Sequence, residues 1–245
     1  MVLSPSKKKK VIIVIGGLVG AGKTSLAKEL NRYYTRCRNV CVLRLVAYSN
    51  VSYLFFDMLA KIFYGRRVVK NYERVKIHPS TLVAMRVRRF SPLFAKIIIF
   101  VEIFSLFLWN LYKRLKCFRS QIIIIDEGFV NVVANYLEVL GKNATPLIGY
   151  VLRLTQKWYQ KHRTVFLFVT SDYDALIKRW SIRKHPIITS FIDQDHHIRY
   201  TNLMLLSLKL FLDSGFNNIV VDSSNKDVHM LVHKVIKHID DNICK

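Results

Sequence analysis

The sequence predicts a doubly wound α/β fold, a five-stranded parallel sheet sandwiched by helices. Three observations predict it. Five short apolar runs lie at 11–15, 40–46, 121–126, 164–170 and 218–222; they are continuous rather than alternating, as strands covered on both faces require. The stretches between them carry helical spacing, as in Leu26, Leu30, Tyr33 and Tyr34, and β alternating with α at such lengths implies parallel crossovers. At 245 residues the chain is long enough to bury a full core in one domain, expected over 11–245.

The opening MVLSPSKKKK has no apolar stretch before its lysines. Residues 1–10 therefore read as a disordered, basic lead-in and not as a secretory signal. The first strand then runs straight into Gly17-Leu18-Val19-Gly20-Ala21-Gly22-Lys23-Thr24. This is the G-x-x-x-x-G-K-[ST] phosphate loop, preceded by a strand and opening a helix, and it narrows the prediction to a P-loop NTPase fold. Glycines let backbone N–H groups turn inward as an anion cradle, and the helix behind points its positive end at the phosphates. Gly17, Gly20, Ala21, Gly22, Lys23, Thr24 and Ser25 are the expected nucleotide-binding residues. Lys23 would reach the β- and γ-phosphates, and the Thr24 hydroxyl would ligate a magnesium ion, so ATP and Mg²⁺ are the expected cofactors.

The interval between the second and third strands, 49–120, far exceeds one crossover helix. It is expected to be a helical region that takes the acceptor, broken before Pro79 and Pro92. Within it, Arg86 and Arg89 are three apart and could face one anionic acceptor. Residues 93–112, LFAKIIIFVEIFSLFLWNLY, approach the length of a membrane span, but Lys96, Glu102 and Asn110 interrupt them. A span would also separate the phosphate loop from its neighbouring strand, so a buried core helix is expected there.

The third strand ends in Asp126-Glu127. In a phosphate-loop fold it runs beside the first strand, which brings Asp126 next to Thr24 as the second magnesium residue. Glu127 is placed to orient or deprotonate a nucleophile: water in a hydrolase, a substrate hydroxyl in a kinase. After the fourth strand comes SDYDALIKRWSIRKHP, with Arg179 and Arg183 four apart on one helical face. Guanidinium forks there would stabilise charge on a transferring phosphoryl group, and 171–192 is the expected lid. The leucine-rich stretch 203–212 has helical spacing and reads as core.

In order, GLVGAGKTS, IIIIDEG, ALIKRWSIRKHP and NNIVVDSS make the chain resemble the thymidylate kinase-like branch of phosphate-loop kinases, which includes deoxynucleoside and nucleoside-monophosphate kinases. The resemblance spans nearly the whole chain and implies ATP–Mg²⁺ as donor. It also implies Arg179 and Arg183 as lid arginines and Asp222 near the adenine pocket. Two departures stand out. Thymidylate kinases carry Asp-Arg where this chain has Asp126-Glu127. Deoxynucleoside kinases have an acidic base soon after the second strand, where this chain reads Ala47-Tyr48-Ser49-Asn50 and the nearest acid is Asp57.

Composition sets the remaining expectations. Thirty-nine Lys and Arg against 16 Asp and Glu give a net charge of +23, a field that favours polyanions. No aromatic-interleaved basic motif accompanies it, which disfavours a dedicated nucleic-acid function, and four lysines alone would not hold the chain at a membrane surface. Cys37, Cys41, Cys117 and Cys244 show neither zinc spacing nor a disulfide framework, and are expected as reduced thiols in a cytoplasmic protein. The expected activity is transfer of the ATP γ-phosphoryl group to a small anionic or nucleoside acceptor, catalysed by Lys23, Glu127, Arg179 and Arg183. A switch or motor ATPase and a nucleic-acid-end kinase are the alternatives, and a homodimer stays open.

Overall fold

A computed structural model describes residues 10–243 apart from 50, 68, 70–77, 87–90, 183–193, 217 and 225–227. Five parallel strands form one sheet: β1 Val11–Gly17, β2 Val40–Arg44, β3 Ile122–Asp126, β4 Arg163–Thr170 and β5 Asn218–Asp222, in the order β2-β3-β1-β4-β5. Each strand begins or ends within two residues of an apolar run. Burial explains the legibility: β1 and β3 are buried along their whole length, so residues 11–15 and 122–125 are all apolar and polarity enters only at the site end, at Asp126. The edge strand β2 shows the contrast, with Cys41 and Leu43 buried but Val42 and Arg44 exposed.

Helices cover both faces. They are α1 Lys23–Tyr34, α2 Val51–Tyr64, α3 Pro79–Arg86, α4 Pro92–Lys116, α5 Phe129–Leu140, α6 Thr145–Lys161, α7 Tyr173–Ile182, α8 Gln194–Asp213 and α9 Val228–Ile243. Helices α2, α3 and α4 fill the long interval between β2 and β3. Two of them start where proline fixes the first helical φ, at Pro79 and Pro92; the Ser91 hydroxyl caps α4 by accepting from Phe94 N–H. In α8, Met204, Ser207 and Phe211 are fully buried while Leu205, Leu206 and Leu212 are half exposed.

Two expectations are corrected. Residues 93–112 are indeed helical, but α4 is not a buried core helix. It buries Ala95, Ile98, Glu102, Leu106, Trp109 and Lys113, and its other face is open. The cause is its place at the edge of the sheet, where it packs on α2 and α6 from one side only. The cysteines are not all reduced either: Cys41 in β2 and Cys117 just after α4 form a disulfide, with Cα atoms 5.6 Å apart. Their 76-residue separation carries no sign of this. The pairing of β2 with β3 and the return of α4 bring them together, and closing such a loop removes about 4 kcal/mol of unfolded-state entropy in the chain-entropy model. Cys37 is free and exposed. The lead-in at 1–9, Cys244, Arg89, Arg183 and the lid beyond Ile182 lie outside the described residues.

Candidate functional site: a phosphate loop beside paired acids

Sheet register builds the site. β3 pairs with β1 so that Asp126 lies opposite Ile15, and β2 pairs with β3 so that Arg44 lies opposite Asp126. The phosphate loop leaves β1 at the same end of the sheet. At Gly17, φ is +137°, and an added Cβ would sit 2.0 Å from the Val169 carbonyl oxygen; only glycine fits. Gly22 caps α1 in the left-handed region at φ +96°. Leu18 N–H then donates to Val169 C=O at 2.9 Å, tying the loop to β4.

Lys23 is buried under this loop, and its ammonium donates to the carbonyls of Gly17 (3.0 Å) and Leu18 (2.8 Å). Burial pushes its pKa below the usual lysine value, opposed by the nearby charges of Glu127 and Asp126. Thr24 donates its hydroxyl to Asp126 Oδ2 at 2.9 Å. The other Asp126 oxygen, Oδ1, is buried and has no hydrogen-bond partner among the described residues. A hydroxyl and a carboxylate with a spare buried oxygen are the hard donor set that Mg²⁺ takes in nucleotide sites, so these residues fit that ion.

Glu127 adopts a left-handed backbone with φ 61°. Such strain in a non-glycine residue costs on the order of 1 kcal/mol and collects at functional sites. Its Oε1 accepts from Arg44 Nη2 at 2.6 Å, and that bond raises the Arg44 pKa. A cavity of about 250 Å³ is lined by the loop from Val19 to Ser25 together with Glu127, Asn131, Asn135 and Tyr200. A second, of about 850 Å³, opens beside Arg44 and Asp126 and continues along Trp109, Tyr112 and Lys116 of α4.

The structure thus brings Lys23, Thr24, Asp126 and Glu127 together. Arg179 lies on the other side of the loop. Its Nη1 donates to Ser223 Oγ at 3.0 Å, and Ser223 Oγ donates to Ala21 C=O at 2.8 Å. Arg179 also borders a cavity of about 90 Å³ with Gly20, Gly22 and Ser25. Arg86 is exposed at the end of α3, the helix that packs on α2. Asp222 ends β5 and accepts from Ser224 N–H and hydroxyl.

Sequence reasoning missed Asn131, Ser223 and Arg44. Asn131 clamps the loop from both sides: its Oδ1 accepts from Gly17 N–H at 3.1 Å, and its Nδ2 donates to Gly17 C=O at 3.0 Å. Tyr200 OH donates to Asn135 Oδ1 at 3.2 Å, extending this polar wall. A signal was present, since Asn131 and Asn135 are four apart in the otherwise apolar FVNVVANYL of α5 and so share one face. Nothing local marks Arg44 or Ser223.

The fold recurs among solved structures. Deoxyadenosine kinase from M. mycoides with bound dCTP is 14% identical, covers 94% of this chain and 99% of its own, and has a TM-score of 0.52. The YorR protein from Bacillus subtilis, in complex with phosphorylated GDP, is 12% identical, with 96% and 98% covered and a TM-score of 0.53. Thymidylate kinase from Candida albicans is 14% identical, with 96% and 92% covered and a TM-score of 0.50. No family model matches the chain, and no curated protein matches its sequence. At these identities the likeness is one of fold: a five-stranded parallel sheet between helices, with a phosphate loop after its first strand.

Proposed function

We propose that this chain is an ATP- and Mg²⁺-dependent phosphotransferase that passes the γ-phosphoryl group to a small acceptor. The observation that carries the reading is the meeting of Lys23, Thr24 and Asp126 with a strained Glu127 held by Arg44 at 2.6 Å. Mg²⁺, held by Thr24 Oγ1 and Asp126, would offset charge on the phosphates. Lys23 exchanges the Gly17 and Leu18 carbonyls for phosphate oxygens, and so is freed for the donor without crossing solvent. Where the acceptor is a hydroxyl, Glu127 accepts its proton and Arg44 fixes the carboxylate that does so; a phosphate acceptor is already anionic and needs no base. The cavity of about 850 Å³ beside Arg44 has the size of a small-molecule site. It lies against 49–120, the interval read as the acceptor region. Arg86 and Arg89 are assigned to the acceptor and Arg179 and Arg183 to the donor phosphates within the same reading.

A carboxylate oriented beside a phosphate loop can also position water, so the Glu127–Arg44 pair supports hydrolysis as a second reading. Following ADP formation from ATP with Mg²⁺ separates the two. The expected result is a rate that rises at least tenfold when a nucleoside or nucleoside monophosphate is added and that vanishes in Lys23→Ala. An equal rate with and without every acceptor would replace the kinase reading with hydrolysis.

A further inference from the structure

The open face of α4 is apolar along its length. Ile97, Phe100, Phe104, Phe107, Leu111 and Leu115 follow one another at steps of three and four residues, opposite the face that buries Glu102 and Trp109. Phe100 is 74% exposed, Phe107 55% and Leu115 72%. With apolar side chains of roughly 200 Å² each, these six leave on the order of 700 Å² exposed, above the largest patch of an ordinary monomer.

Charge decides what this face fits. Lys96 and Arg114, both exposed, lie 18 residues apart, five whole turns, on the same flank of the stripe. Arg114, Lys116 and Arg119 are exposed at the C-terminal end of the helix. Lys10 Nζ reaches that end and donates to the carbonyls of Cys117 and Phe118, each at 2.8 Å, and Lys7, Lys8 and Lys9 directly precede it in the sequence. The sole acid of α4, Glu102, is buried on the opposite face. An antiparallel second copy would set Lys96 of each chain beside Arg114 of the other, between two molecules of +23. An anionic surface meets the same residues with opposite charge.

We infer that α4 docks the protein on the surface of an anionic lipid bilayer. The helix lies in the plane of the interface, its Phe- and Leu-rich stripe enters the acyl boundary, and the basic end of α4 together with Lys10 contacts the headgroups. An apolar face together with a polybasic cluster is the two-part signal that surface attachment requires. Lys10 and Arg119 shortly precede β1 and β3, at the end of the sheet away from Asp126 and the phosphate loop, whereas Lys116 also borders the cavity of about 850 Å³; docking therefore leaves the phosphate loop open and flanks that cavity.

Co-sedimentation of the full-length chain with phosphatidylcholine vesicles, with and without phosphatidylserine, tests this. Binding to the anionic vesicles alone is expected, weakened by raised salt. Replacing two of its three aromatic residues, Phe100→Glu with Phe107→Glu, is expected to weaken it at least ~10-fold while ATP turnover is kept. Arg114→Glu with Arg119→Glu should also weaken it and flatten its salt dependence, and that pair keeps the stripe intact should the first pair fail to fold. Three results would overturn the inference: no vesicle binding, vesicle binding indifferent to the Phe100 and Phe107 changes, or a dimer in sedimentation equilibrium that those changes abolish.

Discussion

Asn131 is the residue whose work is most easily isolated. It supplies the acceptor for Gly17 N–H and shares the Gly17 carbonyl with Lys23. Asn131→Ala leaves a buried N–H without an acceptor, a loss of about 1–3 kcal/mol, while Lys23 still satisfies the carbonyl. The expected outcome is a KM for ATP raised roughly tenfold with a smaller change in kcat, because the loop loosens before any phosphate arrives. Steady-state kinetics check it, and an unchanged KM would make Asn131 a packing residue of α5. At this scale the sequence was legible where chemistry demands one residue type, as at Gly17, Lys23, Thr24 and Asp126. Arg44 was not legible, because its role depends on β2 lying beside β3.

At the scale of elements, α4 carries two buried ionisable groups outside the phosphate site, Glu102 and Lys113. Glu102 Oε1 accepts from Tyr48 N–H at 2.9 Å and from Tyr136 OH at 2.6 Å, joining α4 to the loop after β2 and to α5. Burial outweighs these bonds and raises the Glu102 pKa from 4.5 to about 7. Between those values the folded chain holds a proton that the unfolded chain has released. Stability from this group is therefore full below pH 4.5 and is lost as pH rises to about 7, by up to about 3 kcal/mol. Lys113, buried against Trp158 with its Nζ 3.2 Å from the ring centroid, is pushed down from 10.5 to about 7. There the unfolded chain binds the extra proton, so stability rises with pH from 7 to 10.5. Glu102→Gln keeps the acceptor for both donors and removes the first titration. It is expected to match the parent in thermal unfolding at pH 4.5 and to exceed it at pH 8. A constant difference across pH would remove Glu102 as the cause. The sequence showed α4 as a helix and Glu102 as its misfit. Which face the glutamate takes depended on Tyr48 and Tyr136, which are distant in sequence.

For the molecule as a whole, ligand binding should read out as stability. A nucleotide that binds only the folded chain adds about 2.7 kcal/mol at 100 times its Kd, or roughly 5–10 °C in Tm at this size. ATP with Mg²⁺ is expected to produce such a shift, and EDTA to reduce it. In Asp126→Asn the EDTA-sensitive part should disappear while a smaller metal-independent shift from the loop remains. A full EDTA-sensitive shift in that variant would place the metal elsewhere. By itself the sequence determined the parallel sheet, the order of its elements, the phosphate loop and the acid beside it. Those features are written locally, in uninterrupted apolar runs and in residue types fixed by phosphate chemistry. Only the tertiary structure decided the Arg44–Glu127 pair, the Asn131 clamp, the Cys41–Cys117 bond and the open face of α4. Each depends on which strands are neighbours and which helix has nothing packed beyond it among the described residues, and parallel crossovers set those relations over tens of residues of chain.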